Sequence, residues 1–361
     1  MDGASGEFLI TGANGYIGNA VARAFVRAGW TTYGLLRSSS STTALALKEI
    51  IPIIGSIDDP ITLSKDSLPP ILDVIVSTTE VTTNYEPHFN NIVTLLRSLS
   101  QANISAGSPK PLVIFTSGCK DYGADPTHLC SQPGQPQHPK PHTEETPLNP
   151  PSIVAARAFT ALKILEHTDV FRPVLVRPTN VYGRSSSFYA GFFVATSEAL
   201  ASSGTQEIVV PASPNMMLCA LHIDDCGDAY VAIASHASLS EVEGQVFNIS
   251  PHRYETAQEI EEALVREYKG LTVKYDESDN SSVWLSMLAA FPQWTDSSKL
   301  RRLTGWEDKR PLFSEALGVY RRSFEAAEAL GDPMIERLKG LMKLFGEMQP
   351  PGANPAAFFG T

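Results

Sequence analysis

The chain has 361 residues, 43% hydrophobic and 19% charged, which is ample material for one large core or two smaller ones. Its formal net charge of −11 leaves no basic face for a nucleic-acid partner, and no apolar stretch reaches the length of a membrane span. The N-terminus lacks a basic-then-apolar leader, and Cys119, Cys130, Cys219 and Cys226 form neither a Cys-x-x-Cys pair nor a metal spacing, so the expectation is a cytoplasmic globular protein with reduced thiols and no metal.

The first element is the apolar run Phe8–Thr11, followed by glycines at Gly12, Gly15 and Gly18. Ile17, Val21, Ala24, Phe25 and Ala28 then recur at helical spacing, and Gly29 closes the stretch. A buried strand that enters a helix through a glycine-rich turn is the arrangement that binds a dinucleotide. Gly12 allows the tight turn, Gly15 lets the backbone approach a pyrophosphate, and Gly18 lets helix and strand pack closely. Thr11, Gly12, Asn14, Gly15, Tyr16, Ile17 and Gly18 are therefore expected at the cofactor.

Further apolar runs follow at Thr32–Leu36, Ile50–Ile54, Val74–Ser77, Leu112–Thr116 and Pro173–Arg177, separated by amphipathic stretches at Ile17–Ala28, Phe89–Ala102 and Ile153–His167. Strands alternating with helices predict an α/β fold with a doubly wound parallel (Rossmann) sheet covered on both faces. Residues 124–151 are proline-rich without a periodic core and read as a long loop, as readily a pocket wall as an insertion. Beyond Gly183 the rhythm is less regular, with a helix near Phe192–Ala201, a strand near Glu207–Val210 and elements near Val246–Ile249 and Ala257–Tyr268. The expected division is a dinucleotide-binding domain over 1–183 and a smaller part over 184–348, some of whose elements return to the first core. A flexible tail is expected over 349–361.

The spacing Thr-Gly-x-x-Gly-x-x-Gly resembles the short-chain dehydrogenase/reductase superfamily, in particular its extended branch of epimerases, dehydratases and dihydroflavonol-reductase-like enzymes, from about Phe8 to about Trp306. The resemblance implies that the smaller C-terminal part binds substrate and that the proline-rich loop lies near the substrate pocket. At the end of the second strand, Arg37 and Ser38 stand where an NAD-preferring site carries an acid. A forked guanidinium with neighbouring hydroxyls suits a 2′-phosphate, which favours NADP (NADPH) over NAD. By the same resemblance Ser56 and Ile57 approach the adenine, although the family's aspartate is missing there, and Ser77, Thr78 and Thr79 run beneath the ribose and nicotinamide. Asn91 fits a helix-borne asparagine of the family, and Thr116, Ser117, Pro178, Asn180 and Val181 complete the expected cofactor set.

The catalytic pattern of the family fails. Its enzymes pair a tyrosine with a lysine four residues later on one helix, yet none of the 11 tyrosines here has such a lysine. In register with Arg177-Pro178-Thr179-Asn180, Ile153 takes the tyrosine position and Arg157 the lysine position, while Gly118 falls where the catalytic hydroxyl is expected. This resembles atypical members in which an arginine replaces the pair. Arg157 is placed to hold the ribose or a phosphate but is no acid near neutral pH. The remaining candidates for proton transfer are Tyr122, Tyr182, Lys120 and His222, with Tyr122 first, each weighed against packing, solvation or backbone orientation; Cys119 lacks an activating base nearby in sequence.

The leading expectation is an NADP-dependent oxidoreductase that transfers a hydride on a small, fairly apolar carbonyl, imine or alkene. Two rivals stay open: a reductase-derived isomerase, cyclase or lyase with no net redox change, and a non-enzymatic NADP-binding sensor. Phe188, Tyr189, Phe192, Phe193, Met216, Met217 and Leu218 read equally as ligand lining and as core, and a homodimer is left open.

Overall fold

The computed structural model describes residues 6–58, 68–81, 84–129, 139–185, 187–202 and 206–348. Cys130, the middle of the proline-rich loop and the expected tail over 349–361 lie outside the described residues. Seven strands form one parallel sheet: β1 (Glu7–Thr11), β2 (Thr31–Leu36), β3 (Ile51–Ile54), β4 (Val74–Ser77), β5 (Leu112–Thr116), β6 (Arg172–Pro178) and β7 (Val246–Ile249). Their spatial order is β7-β6-β5-β4-β1-β2-β3, so the chain winds outward in both directions from β1 and β4. This is the doubly wound Rossmann architecture, and its ligand crevice lies at the C-terminal strand ends where the order reverses.

The sheet is apolar on both faces because successive side chains alternate. Phe8, Ile10, Val74, Val76, Leu112, Ile114, Val174 and Val176 enter one buried cluster. Their neighbours Leu9, Ile75, Val113, Phe115 and Leu175 enter another on the opposite face. Helix α1 (Tyr16–Arg27) covers the first face, where Phe25 stacks on Phe8 with ring centroids 3.7 Å apart. Helix α2 (Tyr85–Ser105) covers the second face with Phe89, Ile92, Leu95, Leu96 and Leu99. The stretch expected as one helix over Ile153–His167 is helix α3 (Ser152–Thr160) running into a 3-10 turn over Ala161–Glu166.

After α4 (Ala190–Ala201) comes α5 (Ile223–Ala234), whose helical character the sequence reading did not anticipate. It packs beside α1 because residue 227 is glycine: a Cβ there would stand 2.7 Å from the carbonyl oxygen of Ala20. Arg23 pairs with Asp224 at 3.0 Å and Arg27 with Asp228 at 2.8 Å, fixing the register of the two helices. Strand β7 then returns to the main sheet beside β6.

The other C-terminal elements close around a second apolar cluster. They are α4, α6 (Ala257–Glu267), α7 (Val283–Ala289), α8 (Leu317–Ala329), α9 (Pro333–Met348) and a two-stranded ribbon of Glu207–Val210 with Thr272–Tyr275. Tyr189, Phe192, Phe193, Met216 and Leu218 all belong to this cluster, and Met217 is equally buried, so most of the aromatic set named above is core. Among the described residues no helix is long and apolar enough to cross a membrane, and Cys119, Cys219 and Cys226 are buried and free.

Glu261 on α6 is 2% exposed, and the Tyr275 hydroxyl is the polar group that offsets part of the cost of burying it. Burial pushes this carboxyl from 4.5 up to about 8. A folded-state value raised above the unfolded one contributes stability that is complete below about pH 4.5 and is lost as pH climbs through 8. Thermal unfolding should therefore move to lower temperature between pH 5 and 8, and Glu261→Gln should flatten that decline and exceed wild type at pH 8. Parallel curves for the two proteins would contradict this placement.

Candidate functional site

A cleft of about 930 Å³ opens at the C-terminal ends of β1, β2 and β4. Its floor is the glycine-rich turn. Gly12 has φ +77°, a left-handed conformation that side chains resist, and its carbonyl accepts the Gly15 amide at 2.8 Å. A Cβ at Gly18 would collide with that same carbonyl and approach the Thr78 hydroxyl, so the close passage needs glycine at both positions. Thr78 Oγ1 donates to the Thr11 carbonyl at 2.8 Å, tying the β4 loop to the turn. Tyr16 donates its hydroxyl to the Gly183 carbonyl at 2.5 Å. Helix α1 begins at Gly15 with no side-chain cap, which leaves first-turn N–H groups facing the cleft.

Of the expected cofactor residues, Thr11, Gly12, Asn14, Gly15, Tyr16, Ile17, Gly18, Arg37, Ser38, Ile57, Thr78, Thr79, Asn180 and Val181 line this one cleft. Asn91 lines it too, donating to Asp58 at 3.0 Å. Asp58 lines the cleft two residues after Ser56; the Ser56 hydroxyl accepts the Asp58 amide at 3.1 Å and so sets the turn rather than the lining. Ser77, Thr116, Ser117, Arg157 and Pro178 stand outside the lining. Ser77 accepts from the Thr11 hydroxyl at 3.2 Å, Thr116 meets the Tyr230 hydroxyl at 2.9 Å, and the other three lie near Asp121 and Gly118.

Asp121 and Arg157 come from the turn after β5 and from helix α3, the elements on which the resemblance looks for the catalytic set. Asp121, fully buried in the 3-10 turn after β5, accepts from Arg157 Nη2 at 2.7 Å on one oxygen and from the Ser117 hydroxyl at 2.5 Å on the other. Arg177 Nε stands 3.3 Å from that second oxygen. Arg157, projecting from α3, also pairs with Glu80, a cleft-lining residue just after β4. The two carboxylates push the Arg157 guanidinium pKa up against the effect of burial. Gly118 belongs to the same fit, because a Cβ there would stand 3.3 Å from Arg157 Nη2. Ile153 sits half-buried one turn before Arg157.

The four proton-transfer candidates are not brought together. Tyr122 is 2% exposed, donates to Asn248 Oδ1 at 2.7 Å, accepts from Arg177 Nη1 at 3.0 Å and stacks on His142. Burial raises its pKa above the ordinary tyrosine value. The Tyr182 hydroxyl donates to the Pro311 carbonyl at 2.9 Å inside an aromatic cluster. His222 caps α5 by accepting the Asp224 amide on Nδ1, and burial lowers its pKa to about 4. Lys120 differs. Its ammonium lies 4.4 Å from the Phe291 ring centre and 5.0 Å from that of Phe188, and Phe188 lines the cleft. Burial, and then the positive charge of Arg157, push its pKa down to about 8.

Three residues at the base of the proline-rich loop, Asp125, His128 and His142, bring potential ligand atoms within 4.8 Å of one another. His128, however, uses one ring nitrogen on the Lys140 carbonyl and the other on the Trp294 amide.

Sequence reasoning did not single out Glu80, Asp58, Arg337 and Leu338 in the cleft. Asp58 had a local signal in the Ser-x-Asp turn, whereas Arg337 and Leu338 arrive from the distant helix α9 and had none.

No curated protein matches the chain. Among solved structures it is similar to UDP-glucuronic acid 4-epimerase from Bacillus cereus in complex with NAD, at 18% identity and TM-score 0.62, covering 89% of this chain and 97% of that one. It is likewise similar to dTDP-glucose 4,6-dehydratase from Bacillus anthracis in complex with NAD, at 17% identity and TM-score 0.64, covering 91% and 99%. A third likeness, to UDP-glucose 4-epimerase from Thermotoga maritima with UDP-glucose, has 17% identity and TM-score 0.64 over 89% and 99% of the two chains. At such identities these likenesses speak to the fold. The sequence itself carries the assignment: the model of the NAD dependent epimerase/dehydratase family matches residues 8–250, and the chain belongs to that family.

Proposed function

We propose that this family member is an NADP-preferring oxidoreductase acting on a small, fairly apolar carbonyl, imine or alkene, with Lys120 as the proton-carrying group. One observation carries the reading: the glycine-rich cradle opens onto Arg37, a guanidinium with no hydrogen-bond or ion-pair partner among the described residues. The cradle fits a dinucleotide, since Gly18 admits no side chain and the buried Thr79 hydroxyl, which lines the cleft, has no protein partner.

A bound nicotinamide supplies the hydride. Arg37 and Ser38 bind a 2′-phosphate, and the first-turn N–H groups of α1 receive the pyrophosphate. Lys120 holds the proton. With a pKa near 8 it is largely charged at neutral pH and would give its proton to the oxygen, nitrogen or α-carbon left with the electron pair when the adjacent carbon takes the hydride, and then be recharged from water. Burial, with the charge of Arg157 second, lowers Lys120 to that value, and Arg157 is itself held by Asp121 and Glu80. Phe188 and Phe291 around the ammonium favour an apolar substrate over a highly hydroxylated one. A second reading draws on the family match: turnover by internal redox, with the cofactor regenerated in each cycle. Steady NADPH consumption with apolar aldehydes, ketones or imines supports the first reading, and product formation without net cofactor change supports the second.

Arg37→Ala should weaken NADPH binding by about 1–3 kcal/mol, the range for a hydrogen bond to a charged group, and leave NADH nearly unchanged. Equal calorimetric losses for both cofactors would overturn the NADP assignment. Lys120→Met should lower turnover by about 10²–10⁴-fold with cofactor affinity preserved. In the wild-type protein the reductive rate should be flat below pH 8 and fall above it as the ammonium deprotonates. An unchanged rate in Lys120→Met would remove the lysine from the mechanism.

A further inference from the structure

Helix α9 is anchored at both ends and passes the mouth of the cleft. At its start, Asp332 accepts the Met334 amide at 2.8 Å. Lys48, which feels the Asp332 charge without forming an ion pair with it, donates to Asn19 at 2.8 Å, and Asn19 donates to the Ala13 carbonyl at 3.1 Å, so the helix starts on the side of the glycine-rich turn. Ile335 and Met342, 1% and 3% exposed, fix one face. Lys339 pairs with Glu328 of α8 at 2.6 Å, and Gly346 lies against Val283 of α7. Between these anchors Arg337 and Leu338 line the cleft.

The charges along the cleft separate into two groups. Glu80 is paired with Arg157, and Asp58 is bonded by Asn91. Arg37 and Arg337 have no such partner among the described residues. A cleft lined by two guanidiniums without a partner among the described residues is suited to a ligand with two separate phosphate groups. Arg37 directly follows β2, whereas Arg337 belongs to the helix that starts on the side of the glycine-rich turn, and both line the one cleft.

We propose that Arg337 binds the pyrophosphate of the dinucleotide, adding a side-chain cation from the C-terminal helix to the backbone donors of the turn. The inference rests on the dinucleotide reading above but assigns a different phosphate from that of Arg37, and the two are separable by titration. In calorimetry with NADPH and NADH, Arg337→Ala should weaken both by a similar factor of about tenfold or more, as expected for losing a charge-assisted contact. Arg37→Ala should weaken NADPH alone. Arg337→Lys should recover part of the loss, and Arg322→Ala, an exposed arginine on α8 outside the cleft, should bind like wild type. Bound NADH should also protect α9 from limited proteolysis in wild type and less so in Arg337→Ala. Unchanged affinity for both cofactors in Arg337→Ala would overturn the proposal, as would a loss confined to NADPH, which would assign Arg337 to the 2′-phosphate. Wild-type protein that binds neither cofactor would overturn the dinucleotide reading itself.

Discussion

Asp121 is held on both carboxylate oxygens, by Arg157 on one and by Ser117 and Arg177 on the other, with no exposure to water. A buried carboxylate is costly unless its charge and lone pairs are met, and two guanidiniums buried beside it would be costlier still without it. The group therefore stands or falls together. It joins the turn after β5, helix α3 and strand β6, three elements that must meet at fixed distances for the cleft to have its inner end. Its reach extends further: Arg177 donates to Tyr122, Tyr122 donates to Asn248 on β7, and Arg157 carries the charge on to Glu80 at the cleft wall.

This constraint explains how a family member can lose its tyrosine–lysine pair and keep the surrounding architecture. A buried arginine such as Arg157 needs a counter-charge, which Asp121 provides. Tyr122 then serves as a linker in the network. Lys120, one residue from Asp121 and within the field of Arg157, is left with a lowered pKa at the edge of an aromatic pocket. In the proposed reading, binding and chemistry use different parts of the fold: the glycine-rich turn and strand ends for the dinucleotide, and a side chain whose acidity is set by burial for the proton.

How much of this was legible in the sequence follows from how local each feature is. The strands Val74–Ser77 and Leu112–Thr116 and the glycine-rich turn were legible because alternation and spacing act over a few residues. Arg37 was legible as the residue ending β2 at the cleft. The role of Asp121 was not, because Arg157, its charged partner on α3, lies 36 residues away, and Tyr122 meets Asn248 across 126. An aromatic residue after a strand looks the same in sequence whether its hydroxyl faces a ligand or a buried amide. The run from Phe188 to Phe193 shows the same limit: Phe188 lines the cleft, and Tyr189, Phe192 and Phe193 are core. Helix α5 went unnoticed because Asp224, Asp225 and Asp228 look solvated in sequence, although they pair with arginines from other elements.

The measurement closest to the centre of this account is a double-mutant cycle in equilibrium unfolding with Asp121→Asn, Arg157→Met and the two combined. If the buried carboxylate is what allows an arginine to replace the family lysine, each single change strands a buried partner and costs about 3–5 kcal/mol, and the double change costs clearly less than their sum. Single changes within about 0.5 kcal/mol of wild type, or strictly additive losses, would show that the network is not what holds the site together.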